Sequence, residues 1–303
     1  MLTRNQGSVW AILGWQYKSA IFYVAAGLVA WGLHSHHSAA WHLPSLPVAV
    51  IGGALGIFVS FRTNTSYARW WEGRQLWGRM VNSSRQLAIQ LSANLVIEDE
   101  GERRRTLTRL LYRHAAYVHA LRAALREQPP LEDEELRALL APDELDALKG
   151  VWNVPFALLR TQAAELAALR RAGALDGLQH HSLDVTLASL LDIQGGCERI
   201  KGTPIPRGYG YAAELLVQIY AVMLPFGLVA ELGPLIVLLN LIVCMAFNLI
   251  SEVGRVLEDP FTMFYNGLPL SDLSRKIEIN LRQTLGETEL PPLRQPAPNG
   301  VLM

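Results

Sequence analysis

Between Ser19 and Phe61 the chain carries no Asp, Glu, Lys or Arg. The same is true from Leu215 to Ala230 and from Leu232 to Ser251. A hydrocarbon layer about 30 Å thick is crossed by roughly 20 helical residues. The first stretch is long enough for two crossings. Its middle offers a break in 34-HSHHSAAWHLPSLP-47, where Pro44 and Pro47 interrupt a helix. Membrane spans are therefore expected at 18–36, 46–66, 209–230 and 233–254. By hydropathy the third is the weakest of the four, because Gln218 and Pro225 interrupt it.

The basic residues orient these spans, since Lys and Arg collect on the cytoplasmic side. Arg4 and Lys18 precede the first span, and Arg62, Arg69, Arg74 and Arg79 follow the second. Lys201 and Arg207 precede the third, and Arg255 follows the fourth. The links between spans one and two, and between three and four, have none. Every position agrees on a multi-pass protein of the cell inner (plasma) membrane with both termini and the whole middle in the cytoplasm. No small-residue cleavage site follows the first apolar run, so no removable signal peptide is expected. With 27 basic and 27 acidic residues, nothing draws the chain to nucleic acid. Its two cysteines, Cys197 on the cytoplasmic side and Cys244 inside span four, suit a reduced compartment and not a disulfide.

The middle, about 67–208, reads as helical, as does 255–290. In 103-RRRTLTRLLYRHAAYVHALRAALRE-127, Leu107, Leu110, Leu111, Tyr117, Val118 and Leu121 recur at helical spacing. Gln128-Pro129-Pro130 ends that helix. Two short helices are expected over 131–150, then longer ones over 155–175 and 183–200. No alternating strand-like run is present. The Pro-rich tail 291–303 is expected to be disordered. The fold class is thus an all-α membrane protein with four transmembrane helices and a large helical cytoplasmic region.

One stretch poses a sharper question. In 52-GGALGIFVSFRTNTSYARWWEGR-74 an apolar helix runs, with no Pro or turn signal, into Arg62 and an Asn-Thr-Ser patch. Gly52, Gly53 and Gly56, with Ser60, Thr63, Asn64, Thr65 and Ser66, argue that span two faces protein or water rather than lipid. The Gly52-xxx-Gly56 spacing also suits a simple helix-packing seam. Gly53, Ile57 and Phe61 share one helix face, because residues four apart stack. On spacing alone, Ile57 and Phe61 read more readily as ordinary core between helices.

Three motifs then carry a resemblance. The run 61-FRTNTSYARWWEGRQLWGR-79, the run 195-GGCERIKGTPIPRGYGY-211 and the run 257-LEDPFTMFYNGLPL-270 are similar, in that order, to motifs of the bestrophin family, in particular its bacterial branch. Their key residues here are Arg69, Trp70 and Trp71, then Pro204 and Pro206, then Asp259, Pro260 and Phe261. The resemblance covers roughly 1–285 and implies one channel domain over 1–290. It implies a homopentamer in the lipid bilayer, passing permeant monovalent ions through a pore lined by five copies of span two. It places an apolar neck at Gly53, Ile57 and Phe61, where Gly53 departs from the bulky residue expected at the outer position. The polar half of the helix, from Arg62 on, would line a wider cytoplasmic vestibule. A hydrophobic ring of this kind can gate by dewetting.

The resemblance also implies a second, cytoplasmic constriction near the helix that leads to Gly195-Gly196-Cys197. Counting back gives His181, with Leu183 or Val185 better suited to an apolar ring. Animal members hold calcium with acidic residues that follow this third motif. Here the segment is Thr-Met-Phe-Tyr-Asn-Gly-Leu-Pro-Leu, without the carboxylates calcium needs, so no calcium gating and no metal are expected. The His34, His36, His37 and His42 tract lacks a carboxylate or Cys to complete a zinc set. Arg69 with Trp70-Trp71 reads as a structural anchor. No P-loop, zinc-protease, dinucleotide or nucleophile-elbow motif appears, so no enzyme and no cofactor are expected. The bacterial branch tilts the ion preference toward cations, with chloride conduction as the wider family alternative. The competing function is a membrane-anchored helical scaffold or enzyme working through the middle section.

Overall fold

A computed structural model describes residues 14, 16–37, 43–297 and 302. Arg4, His42, residues 298–301 and residue 303 lie outside the described residues. The regular structure among the described residues is all helical, without a β-strand. The elements are α1 (Tyr17–His37), α2 (Ser45–Asn94), α3 (Glu100–Leu125), α4 (Glu134–Arg137), α5 (Pro142–Ala147), α6 (Val154–Arg171), α7 (Gly177–Gly202), α8 (Arg207–Leu232), α9 (Leu235–Leu257) and α10 (Leu270–Thr284). They form two compact units, and α2 supplies residues to both. The first unit holds the described residues up to Trp70 with Pro204–Glu258; the second holds Trp71–Thr203 and the chain from Asp259 on.

In the first unit α1, α8 and α9 pack on one another and on the start of α2. Their shared core includes Tyr23, Val48, Leu55, Val59, Val217, Tyr220 and Leu224. The other sides of these helices remain apolar and exposed, with Ile21, Val29, Leu215, Ile219, Leu235, Leu238 and Ile242 among the uncovered side chains. That is the surface of a unit solvated by hydrocarbon. Among the described residues three helices, α2, α8 and α9, are long and apolar enough to cross a membrane. The expectation of four is corrected in one respect: the marginal helix is the first and not the third. The apolar run of α1 is short, Ala20 to Leu33, and ends in His34, His36 and His37.

The third stays continuous through Pro225 for a specific reason. Proline has no N–H to give the carbonyl four residues earlier. That carbonyl, of Ala221, accepts instead from the buried Nδ2 of Asn240 at 3.1 Å. The same Nδ2 donates to the Tyr23 carbonyl at 2.8 Å, so one amide ties α9 to α8 and α1.

The second unit is built around α3, which is buried along most of its length. Asp99 caps its N-terminus, and an Asp176–Gln179 capping box starts α7. Buried charges are tied in networks. Arg113 meets Glu144, Gln162 and Glu165. Arg122 meets Asp133 and Glu135, and Glu135 also meets Arg275 and Arg294. Arg294 thereby pins part of the tail expected to be disordered. Residues 291–297 carry no regular secondary structure.

Candidate functional site

The site begins with the length of α2. From Ser45 to Asn94 it runs as one 50-residue helix, because no proline or turn residue intervenes after Pro47. Such a helix is about 75 Å long at 1.5 Å per residue. One face is packed: Gly52, Leu55, Val59, Arg62 and Ser66 are all buried. The opposite face is open. Val50, Gly53, Ile57, Phe61, Asn64, Ala68, Trp71, Gln75, Arg79 and Asn82 form an exposed stripe along it. Ile57 is 61 % exposed and Phe61 63 %. A Cβ added at Gly53 would meet nothing within 4 Å, so this position opens the stripe outward.

The two readings of the glycines are separated here. Gly52 lies against the Tyr220 hydroxyl, and a Cβ added at Gly56 would lie 3.6 Å from Phe247, so this pair is the packing seam. Gly53 belongs to the open face. Ile57 and Phe61 are not core of their own chain. Arg62 differs from expectation. Rather than opening a polar lining, it is 3 % exposed and turned to the packed side. Its Nη1 donates to Ser251 Oγ at 2.8 Å. The polar part of the stripe starts at Asn64 instead.

The motif residues hold this helix in place. Arg69 Nε donates to the Glu258 carbonyl at 2.7 Å, at the C-terminus of α9. A cation there also suits the helix dipole. Trp70 stacks on Tyr67 with ring centroids 6.2 Å apart, and Trp71 is half exposed. Phe261 is fully buried. Pro260 and Phe261 press on Gly73, where an added Cβ would lie 3.1 Å from the Pro260 ring. Asp259 accepts from the Phe261 N–H at 3.0 Å and from Lys201 Nζ at 2.7 Å. Pro206 starts α8, and Pro204 lies exposed in the link before it. These are joints and not reactive groups.

The second set divides between two faces of α7. Leu183 is 0 % exposed in the core of the second unit. His181 and Val185 are both exposed on α7. The reason is angular: residues two apart on a helix point in nearly opposite directions, while residues four apart share a face.

The thiols offer no chemistry. Both are free and buried, and burial pushes Cys197 up to about 12, so that it stays a protonated thiol near neutral pH. Among the described residues no three His, Cys, Asp or Glu side chains gather as a cation cage. His34 is half-buried and His36 exposed at the end of α1. The role of Asn240 is absent from the sequence reading, although its signal is there as a lone amide inside a charge-free run.

Comparison with known proteins agrees with this architecture. The family described as Bacterial/Fungal Bestrophin protein matches residues 1–283. A voltage-dependent anion channel-forming protein of Mesorhizobium japonicum is 36 % identical over 251 residues, 83 % of this chain and 78 % of the relative. The voltage-dependent anion channel-forming protein YneE of Escherichia coli K12 is 33 % identical over 245 residues, 81 % of this chain and 78 % of its own. The crystal structure of a bacterial bestrophin homolog from Klebsiella pneumoniae superposes with a TM-score of 0.81 at 27 % identity, covering 89 % of this chain and 98 % of that one. These likenesses point to an ion channel of the membrane rather than an enzyme. The chain belongs to the bacterial and fungal bestrophin family.

Proposed function

We propose that this chain is one subunit of a homopentameric, passive channel for small monovalent ions, with α2 lining the pore and α1, α2, α8 and α9 as four spans of the inner membrane. The observation that carries this is the open stripe on α2. Ile57 and Phe61 are large, apolar and more than half exposed on a helix whose other face is fully packed. Copies of the same helix around an axis would cover them and make an apolar neck, flanked outward by Gly53. Asn64, Gln75, Arg79 and Asn82 would follow as the polar wall of a vestibule. The 21 residues of α1 reach about 31 Å, and it packs on α8 and α9, which supports it as a fourth span. Both termini are placed on the cytoplasmic side by the Lys and Arg distribution. Val185, with His181, remains the candidate for a cytoplasmic ring.

We read the channel as cation-preferring, after the bacterial branch it resembles. Anion conduction is the second reading. It is favoured by the names of the relatives and by the exposed Arg79 on the polar stripe. The neck has no charge and decides nothing about sign. The test is a reversal potential in a planar bilayer under a tenfold NaCl gradient, without and then with a calcium chelator. Currents reversing near the sodium potential, and unchanged by chelation, are expected. Reversal near the chloride potential would overturn the cation reading. Loss of current on chelation would overturn the absence of calcium gating, and no current at all would count against the channel.

A further inference from the structure

The first unit contains a cleft of about 490 Å³ between the start of α1, the first turns of α8 and the last turns of α9. It is lined by charges of both signs. Lys18 and Arg255 supply two cations; Glu214 and Glu252 supply two anions. Glu252 is bound to Arg255, with Arg255 Nε donating to its Oε2 at 2.8 Å. Lys18 and Glu214 are different: both are exposed to the cleft, and neither has an ion-pair partner among the described residues. A third group is also unsatisfied. Gln16 is 8 % exposed, and its buried Oε1 has no hydrogen-bond partner. A buried polar atom without a partner is costly. Gln16 lines the cleft, so a ligand that draws its amide toward the cleft can satisfy that oxygen.

We propose that this cleft binds the headgroup of a phospholipid that carries both a phosphate and a protonated primary amine, that is, an ethanolamine phospholipid. Lys18 takes the phosphate as a point charge. The ammonium donates to Glu214 and to the Gln16 amide oxygen, which gives the latter the partner it lacks. The acyl chains have a surface to follow, because Ile21, Phe22, Leu215 and Ile219 are exposed on the same two helices. A choline headgroup fits less well, since its quaternary nitrogen has no N–H to donate. A headgroup with only negative charge leaves Glu214 unpaired and repelled. That this end of the helices lies in the inner leaflet rests on the topology proposed above.

The test is native mass spectrometry of the full-length protein released from nanodiscs of equal phosphatidylethanolamine, phosphatidylcholine and phosphatidylglycerol. Wild type should retain phosphatidylethanolamine in preference to the other two. Glu214→Gln, nearly the same shape, should abolish that preference while the total lipid retained stays constant. Lys18→Gln should lower retention of every headgroup. Equal retention of ethanolamine and choline lipids by wild type, a preference for the glycerol lipid, or a preference that survives Glu214→Gln would each overturn the assignment. If Glu214→Gln fails to fold, Gln16→Leu provides the same readout from the other acceptor. Because lipid mass is measured and not current, loss of the lipid preference leaves the channel reading intact. A lipid-selective protein that passes no current refutes the channel alone.

Discussion

Asn240 and Pro225 should behave as one thermodynamic unit although they lie on different helices. Pro225 withholds an N–H from the Ala221 carbonyl, and Asn240 Nδ2 supplies the missing donor at 3.1 Å. In Asn240→Ala that carbonyl is left buried and unpaired. The Tyr23 carbonyl loses only an additional bond, since its own helix continues through it. An unmade bond to a buried acceptor costs about 1–3 kcal/mol in water-soluble proteins. Side-chain bonds between membrane helices average nearer about 0.6 and reach about 1.7 kcal/mol. Asn240 is fully buried and Pro225 offers that carbonyl no N–H, so the upper part of that range applies, about 1.5 kcal/mol. Pro225→Ala restores the N–H, and Ala221 then finds its donor inside α8. In that background Asn240→Ala should cost about 1 kcal/mol less, a coupling well above the roughly 0.3–0.5 kcal/mol scatter of additive pairs. Unfolding by SDS titration in mixed micelles, followed by far-ultraviolet circular dichroism, measures all four corners of the cycle. Costs that simply add would show that Asn240 does not act through the proline-freed carbonyl.

Two further perturbations probe the neck and the second unit. Ile57→Ala and Phe61→Ala should each raise unitary conductance in single-channel recordings, and every 1.4 kcal/mol removed from the barrier is worth about tenfold in rate; unchanged current in both variants would remove these residues from the narrowest part. Glu135 offers a pH signature. Burial would raise its pKa, but the hydrogen bond from Arg122 and the charges of His119, Arg122 and Arg275 outweigh it and hold the carboxylate at about 2. A depressed pKa stabilises the fold above the ordinary carboxylate range, and that stability is lost as the pH falls toward 2. Glu135→Gln should therefore cost about 2 kcal/mol near neutral pH, after allowing for water close to the group. The gap to wild type should close below about pH 3 in thermal melts. A gap that stays constant with pH would assign the loss to packing.

The parts of this protein legible in its sequence are those set by composition over long windows. Charge-free runs locate α1, α2, α8 and α9, and the absence of any breaker between Gly52 and Asn94 implies that one helix serves both an apolar and a polar stretch. What one sequence conceals is pairwise. Pro225 reads as an interruption because its compensation comes from Asn240, on the next helix. Arg62 reads as the start of a polar lining because a lone arginine after an apolar run ordinarily marks an interface; Ser251, far along the chain, turns it inward. Counting back along α7 offers His181, with Leu183 or Val185 as alternatives, and helical periodicity sets Leu183 apart, since it points away from the face that His181 and Val185 share.

The stripe on α2 has a consequence for how the helix tolerates change. Its packed face is fixed by contacts within one chain: Gly52 has no room for a side chain beside Tyr220, and Gly73 none beside Pro260. On its open face a side chain at Gly53 would meet nothing within 4 Å, and Ile57 and Phe61 are more than half exposed. Substitutions on the two faces should therefore separate by phenotype. Changes at Gly52 or Gly73 act first on folding of the subunit, whereas changes at Gly53, Ile57 or Phe61 leave the subunit folded and act on what that face does. A helix with this division can vary its open face without risking its fold. That is why Gly53 has room for a side chain there, while Gly52, next to it in the chain, does not.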